Sequence, residues 1–201
     1  MTQRIVLASS NPGKLKEFGA LLADSGLEVV PQASLGIADA EETGLTFVEN
    51  ALLKARHAAQ ASGLPALADD SGLCVDHLDG APGLYSARYS GGHGDAAANN
   101  AKLLRALDGV PTQRRGAFFI CVLVLLQHAD DPAPLIAEAR WHGRILTEGR
   151  GSGGFGYNPV FLPEGYELSV AEMDDALKNR LSHRGQALAL LHERLRELRH
   201  T

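Results

Sequence analysis

An apolar segment that contains two adjacent carboxylates, residues 67–75, constrains the fold of this 201-residue chain most strongly. Apolar residues lead into and out of Asp69 and Asp70, and Ser71 and Gly72 follow the pair. We interpret the segment as a buried strand that runs up to a site, turns at Gly72 and continues as strand. Paired carboxylates at the end of a strand suit Mg²⁺, which prefers a few carboxylate oxygens together with phosphate oxygens. The alternative is a polar turn between two strands, because Asp, Ser and Gly are common turn residues.

The composition is typical of a globular protein, with 21% charged and 45% hydrophobic residues. A chain of this length fits one large domain, residues 1–201, or two small lobes, and is long enough for a sizeable core. The net charge of −5 argues against a general nucleic-acid-binding protein, which would show a basic stripe. A phosphate-binding pocket is still compatible with this charge, because such a pocket needs only a few local cations.

The sequence also indicates the compartment. The longest apolar run, residues 117–126, is too short to span a bilayer, and the N-terminal residues lack a signal-peptide pattern. Cys74 and Cys121 both lie in apolar runs, which is typical of core thiols in a reducing compartment and not of a zinc site or disulfide framework. We therefore expect a cytoplasmic protein with no membrane partner.

The first strand, residues 4–8, is followed by a polar loop and then by a helix. Asn11 is a good N-cap and Pro12 a good first helical residue. Free backbone N–H groups and the helix dipole make such a terminus a ready anion site, and Lys14 lies beside it. The alternative is an N-capped helix with a solvated lysine. The loop is not a Walker A motif, because the required spacing of glycine and Gly-Lys-Ser/Thr is missing.

An acidic loop precedes the second predicted helix. The loop, residues 38–43, contains Glu41 and Glu42, and Thr46 then opens a capping box for a helix that ends near residues 62–63. Lys54 lies on a stripe of this helix with an asparagine and a histidine. Such a stripe is usually a solvated face, but a lysine beside two acidic segments can instead hold a triphosphate.

The remaining elements indicate a mixed sheet with flanking helices. Residues 117–126 and 135–145 are predicted to form a long hairpin, and residues 171–178 a short helix. Ser182 is predicted to cap the last helix, which places His183 and Arg184 in its first turn, where cations oppose the dipole. A bound anion or a purine carbonyl would offset this cost. The alternative is that both side chains are pinned to nearby carboxylates.

A glycine-dense loop, residues 149–159, contains two aromatic residues. Glycine at this density supplies positive φ angles and lets the backbone approach a ligand closely. Phe155 and Tyr157 lie between the glycines, where a flat base could stack. The alternative is a flexible linker, but linkers rarely carry two aromatics followed by Asn-Pro and a strand. Together with the carboxylates, Lys14, Lys54 and Lys178, the loop fits a metal-bound nucleotide with a stacked base.

Six motifs, in order over residues 5–195, resemble the inosine/xanthosine triphosphate pyrophosphatase family. They are Ser9-Ser10-Asn11-x-Gly13-Lys14, Glu41-Glu42-Thr43-Gly44-Leu45-Thr46-Phe47-x-Glu49-Asn50-Ala51-x-x-Lys54-Ala55, Ala68-Asp69-Asp70-Ser71-Gly72-Leu73, Gly80-Ala81-Pro82-Gly83-x-Tyr85-Ser86-Ala87-Arg88, Gly153-Gly154-Phe155-Gly156-Tyr157 and Lys178-x-x-x-Ser182-His183-Arg184-Gly185. The resemblance implies an α/β fold with an elongated mixed β-sheet, flanking helices and two lobes around a central cleft. It also implies a Mg²⁺-dependent homodimeric hydrolase that converts ITP, dITP and XTP to the monophosphate and pyrophosphate.

Carried over by position, the resemblance assigns roles to individual residues. Asp70 would activate water and contact the metal, and either Glu41 or Glu42 would be the other metal ligand. The residues implied to bind the triphosphate, base or sugar are Ser9, Ser10, Asn11, Pro12, Gly13, Lys14, Lys54, Ser71, Phe155, Gly156, Tyr157, Asn158, Lys178, His183 and Arg184.

Two positions depart from the family pattern. The family usually has Asp where this chain has Asn158, and Glu where it has Leu177. Two other classes remain open from the sequence: a Maf-like nucleotide pyrophosphatase with other substrates, and a non-catalytic nucleotide-binding module. A Maf-like chain would show Ser-Pro-Arg-Arg at positions 11–14, and a binding module would not require a candidate base such as Asp70.

Overall fold

The computed structural model describes residues 3–23, 26–92 and 94–199, without the side chains of residues 3 and 197–199. The helices are α1 (Pro12–Leu22), α2 (Phe47–Ser62), α3 (Ala96–Ala106), α4 (Asp175–Leu181) and α5 (His183–Arg199). The strands are β1 (Gln3–Ala8), β2 (Leu27–Pro31), β3 (Ala66–Val75), β4 (Gly116–Leu126), β5 (Leu135–Ile145) and β6 (Phe161–Pro163).

The six strands form one mixed sheet in the order β2-β1-β3-β4-β5-β6. Strand β1 is parallel to β2 and β3, whereas β6 is antiparallel to β5. In the β1–β3 register Ala8 lies opposite Ala68. The loop that follows β1 and the carboxylates of β3 therefore meet at the same edge of the sheet, where α/β proteins bind ligands. The predicted mixed α/β fold is confirmed.

The chain divides into two compact units. The first unit consists of Met1–Asp70, Cys121–Ala139 and Arg184–Thr201, and the second of Ser71–Ile120 and Arg140–His183. Each has its own apolar core. The first core contains Phe18, Leu67 and Leu123, and the second contains Leu103 and Trp141. Both cysteines are free thiols, as expected.

Two of the helix caps that the sequence predicts, Asn11 and Thr46, are confirmed, whereas the cap at Ser182 stays a prediction. The side chains of Asn11, Thr46 and Asp95 each accept a hydrogen bond from the backbone N–H three residues later, at the starts of α1, α2 and α3. Gly63 ends α2 in the left-handed conformation at φ 67°. Among the described residues, no helix has the length and apolar character needed to cross a membrane.

Two local predictions are wrong. Strand β3 continues through Gly72 without a turn. Cationic side chains pair with Asp69 and Asp70 inside the protein, so these carboxylates do not need a loop that exposes them to water. The short helix begins at Asp175 and not near residue 171. Ser169 and Glu172 instead form a capping box around a separate 3₁₀ turn, Val170–Glu172, and Asp174 then caps α4 by accepting from the Leu177 backbone N–H at 2.8 Å.

Candidate active site

The loop between β1 and α1 is held by its own polar side chains. Asn11 Oδ1 accepts from the backbone N–H of Lys14 at 3.1 Å, and the Asn11 backbone N–H donates to Ser9 Oγ at 3.2 Å. Ser10 Oγ donates to Asp39 at 2.7 Å. Pro12 and Gly13 form the first turn of α1. This geometry directs the N-terminus of α1 to the sheet edge, and the sequence reasoning missed Asp39 as its partner in the acidic loop.

Asp69 is the buried centre of the ion-pair network in the first unit, with 1% of its surface exposed. It pairs with Lys14 and accepts from Arg184 Nε at 3.2 Å and from Cys121 Sγ at 3.0 Å. Burial opposes the charged carboxylate, but Arg184, Lys14 and Lys54 outweigh it and hold the pKa of Asp69 well below its usual range. Asp69 therefore stays ionised and fixes the position of Lys14.

Arg184 is pinned to carboxylates, which is the alternative that the sequence left open. Only 2% of Arg184 is exposed, and its guanidinium pairs with Glu17 as well as with Asp69. Burial disfavours the cation, but its acidic neighbours, led by Asp69, raise its pKa overall. Glu17 was missed by the sequence reasoning, although it lies one helical turn after Lys14 on α1. Substrate contact by Arg184 stays a prediction.

Lys54 joins the two predicted acidic segments. Its Nζ lies 2.8 Å from Asp70 Oδ1 and 3.0 Å from Glu42 Oε1. Glu41 and Glu42 are both exposed residues. Burial lowers the lysine pKa, but Asp70, Asp69 and Glu42 overcome this effect and raise it. The pKa of Asp70 is raised by burial, against the opposing charges of Lys54 and Lys14.

The carboxylates of Asp70 and Glu42 fit a small hard cation. Both approach the same Lys54 ammonium, so their oxygens converge on one point of positive charge. Among the described residues there is no group of three or more His, Cys, Asp or Glu side chains placed to hold a metal. Two carboxylates are nevertheless the set that Mg²⁺ uses when substrate phosphates supply other ligands.

The second unit contains the glycine-dense loop. Phe155 is 40% exposed, whereas Tyr157 is 4% exposed and its hydroxyl donates to the Ser86 carbonyl at 2.8 Å. Asn158 is buried and its side chain lies against Gly154, where an added Cβ would be 2.0 Å from Asn158 Nδ2. Phe155 is thus the exposed aromatic side chain of this loop, and the ring of Tyr157 belongs to the core.

Other residues predicted to bind substrate also lie in the second unit. Ser71 follows Asp70 on β3. Lys178 is 7% exposed and pairs with Asp175 at 3.2 Å. The His183 ring stacks on Phe119 with centroids 4.9 Å apart. At the second position that departs from the family pattern, Leu177 packs against the second core.

The structure therefore brings one set of predicted residues into a continuous network. In the first unit, Lys14, Glu42, Lys54 and Arg184 all contact the Asp69–Asp70 pair or a residue that does. A model of the Ham1 family matches residues 5–194. The chain belongs to the Ham1 family.

Relatives of this Ham1 family chain extend over nearly its full length. A dITP/XTP pyrophosphatase from Xanthomonas oryzae pv. oryzae is 64% identical over 196 residues, which cover 98% of each chain. The structure of a HAM1 protein from Coxiella burnetii has a TM-score of 0.89 at 48% identity, covering 97% of this chain and 99% of that one. The Ham1 protein of Staphylococcus aureus has a TM-score of 0.85 at 37% identity, with the same coverage. The family resemblance of the motifs is confirmed.

Proposed function

We propose that this Ham1 family chain hydrolyses 6-oxo purine nucleoside triphosphates, ITP, dITP and XTP, to the monophosphate and pyrophosphate. The observation that carries the proposal is the network at the sheet edge in which Lys14 pairs with Asp69 and Lys54 pairs with Asp70. The curated name dITP/XTP pyrophosphatase of a full-length relative supports it. Such an enzyme removes aberrant purines from the nucleotide pool.

Glu42 and Asp70 would hold Mg²⁺, and the bound cation would neutralise negative charge on the phosphate oxygens. The N-terminus of α1, with Ser9, Ser10, Asn11, Pro12 and Gly13, would receive the triphosphate together with Lys14 and Lys54. Asp69 holds Lys14 in place through a buried ion pair. Preorganised cations of this kind are the main source of catalysis in phosphoryl chemistry, because charge accumulates on these oxygens in the transition state.

Asp70 is proposed as the general base. Burial raises its pKa, and a carboxylate with a raised pKa is a better proton acceptor. Water would attack a phosphorus in line with the departing pyrophosphate oxygen, the new P–O bond would form as the old one breaks, and Asp70 would accept the proton. Lys54, which donates to Asp70, holds the carboxylate in orientation.

The second unit would supply the groups that bind the base and sugar. Phe155 offers an exposed aromatic face, and Lys178 and His183 of the same unit are the proposed hydrogen-bond donors for a purine O6. A site built to hydrogen-bond a substrate atom rejects analogues that lack it by orders of magnitude. The adenine amino group of ATP does not accept those bonds. We also propose that the protein acts in the cytoplasm as a homodimer, without a nucleic-acid partner.

Pyrophosphate release from a panel of nucleoside triphosphates, with and without Mg²⁺, tests the function. We expect release from ITP, dITP and XTP, little release from ATP, and none without a divalent cation. Asp70→Asn should lower kcat by at least about a hundredfold while leaving the far-UV circular dichroism spectrum unchanged. Preference for pyrimidine substrates would favour the Maf-like alternative, and binding of ITP without turnover would favour a nucleotide-binding module.

A further inference from the structure

Two consecutive asparagines on α3 hold two different loops of the second unit. Asn99 is 4% exposed; its Oδ1 accepts from the Ser90 backbone N–H at 2.7 Å, and its Nδ2 donates to the carbonyls of Ser86 and Ala87. Asn100 Nδ2 donates to the carbonyl of Gly156 at 3.0 Å, across 56 residues of sequence. One turn of α3 therefore contacts both loops.

The two asparagines differ in how well they are satisfied. Every polar atom of the Asn99 amide has a partner. Asn100 Oδ1 is buried and accepts no hydrogen bond from any residue that the structure describes. Rotating the amide would not help, because the Gly156 carbonyl can only accept, so Nδ2 must face it. A buried unsatisfied acceptor destabilises a fold, so Asn100 does not improve stability in the way that Asn99 does.

The contact that Asn100 makes is at the point where the glycine-dense loop needs support. Phe155 lies between Gly154 and Gly156, whose φ angles are +73° and +63°. Glycines on both sides leave the backbone of Phe155 with more conformational freedom than any other residue pair would. On one side, the Gly153 backbone N–H donates to the Ala171 carbonyl at 3.0 Å. On the other side, the Phe155 carbonyl accepts from the Asn158 backbone N–H at 3.4 Å, and the shorter contact is that of the Asn100 amide with Gly156 at 3.0 Å.

We propose that Asn100 is a positioning residue for nucleotide recognition: by holding the Gly156 carbonyl it fixes the exposed Phe155 ring in the orientation that receives the base. This inference rests on the proposed function. Asn100 itself does not contact the reacting phosphates, so its removal weakens substrate binding and leaves the chemical step largely unaffected. Its unsatisfied acceptor is the cost of placing a donor at Gly156.

The experiment compares Asn100→Leu with the wild type. Leucine has the same number of side-chain heavy atoms and the same branching at Cγ, and it removes both the donor and the unsatisfied acceptor. We expect KM for ITP and XTP to rise about tenfold, the effect of one lost ordering hydrogen bond, with kcat within twofold and Tm unchanged or higher. Amide hydrogen exchange at residues 153–157 should become faster in the substrate-free protein.

Asn99→Leu is the matched control, because it makes the same chemical change one residue earlier and should lower Tm. An unchanged KM and unchanged exchange in Asn100→Leu would overturn the inference even though the wild type cleaves ITP. A lower Tm with normal KM would also overturn it and would assign Asn100 a structural role. If the wild type does not cleave ITP, the proposed function fails, whereas the exchange measurement still reports whether Asn100 holds the loop.

Discussion

Asp69 and Asp70 are neighbours of the same residue type, yet their carboxyl pKa values shift in opposite directions. Burial raises both pKa values, so the difference comes from their partners. Successive side chains on a strand point to opposite faces, and Asp69 meets Arg184 and Lys14 while Asp70 meets Lys54. One carboxylate becomes a permanent anchor for cations, and its neighbour keeps the proton affinity that a base needs. The pattern of two adjacent acids predicts the site but not this division of roles.

At the residue scale, we expect the contribution of Tyr157 to the free energy of unfolding to depend on pH. Burial, with a smaller contribution from Tyr89, raises the pKa of its phenol above the ordinary value of 10. Below pH 10 the phenol is neutral in both the folded and the unfolded chain. As the pH rises above 10, the unfolded chain loses the phenolic proton first, which lowers the free energy of unfolding. We expect Tyr157→Phe to lose about 1 kcal/mol of unfolding free energy at pH 7, from the hydrogen bond to Ser86.

Urea denaturation of Tyr157→Phe and the wild type between pH 7 and about pH 11 measures this effect. The difference in unfolding free energy between the two proteins should shrink above pH 10 and then change sign, since phenylalanine does not titrate. A difference that stays constant over the whole range would contradict the burial of the phenol.

At the scale of elements, α2 shows how a local signal positions a functional side chain. Thr46 Oγ1 accepts from the Glu49 backbone N–H at 3.3 Å and donates to Glu49 Oε2 at 2.9 Å. These contacts begin the helix that carries Lys54 to Asp70. Thr46→Ala should lower the unfolding free energy by about 1 kcal/mol, measured by urea denaturation. The exposed Thr43, outside the helix, supplies the control, because Thr43→Ala should change stability by less than about 0.5 kcal/mol.

Among the elements, helix starts can be predicted from the sequence, whereas long-range ion pairs cannot. Helix starts are predictable because the cap and its partner lie within four residues, as at Asn11 and Thr46. The partners of Arg184 are not predictable in this way, since Asp69 and Glu17 lie 115 and 167 residues away. Periodicity carries no information about such pairs. The turn predicted at Gly72 fails for the same reason, because distant cations allow the acidic pair to stay within a strand.

At the scale of the whole molecule, the two units cannot be separated by a single cut. Each is assembled from discontinuous segments. Three of the four boundaries fall inside β3, β4 and β5, between residues 70 and 71, 120 and 121, and 139 and 140, and the fourth falls at the start of α5, between residues 183 and 184. Three strands therefore contribute to both cores. Unfolding either unit disrupts strands that the other requires, so we expect one cooperative transition.

Trp141, the one tryptophan of the chain, allows this expectation to be tested because it lies in the second core. Leu123 is fully buried in the first core, and Leu123→Ala should cost about 2–5 kcal/mol. In Leu123→Ala, the urea midpoint measured by Trp141 fluorescence should fall by as much as the midpoint measured by circular dichroism. The two midpoints should also fall together in Leu103→Ala, which changes the second core. If fluorescence of Leu123→Ala keeps the wild-type midpoint while circular dichroism shifts, the units unfold independently and the shared strands do not couple them.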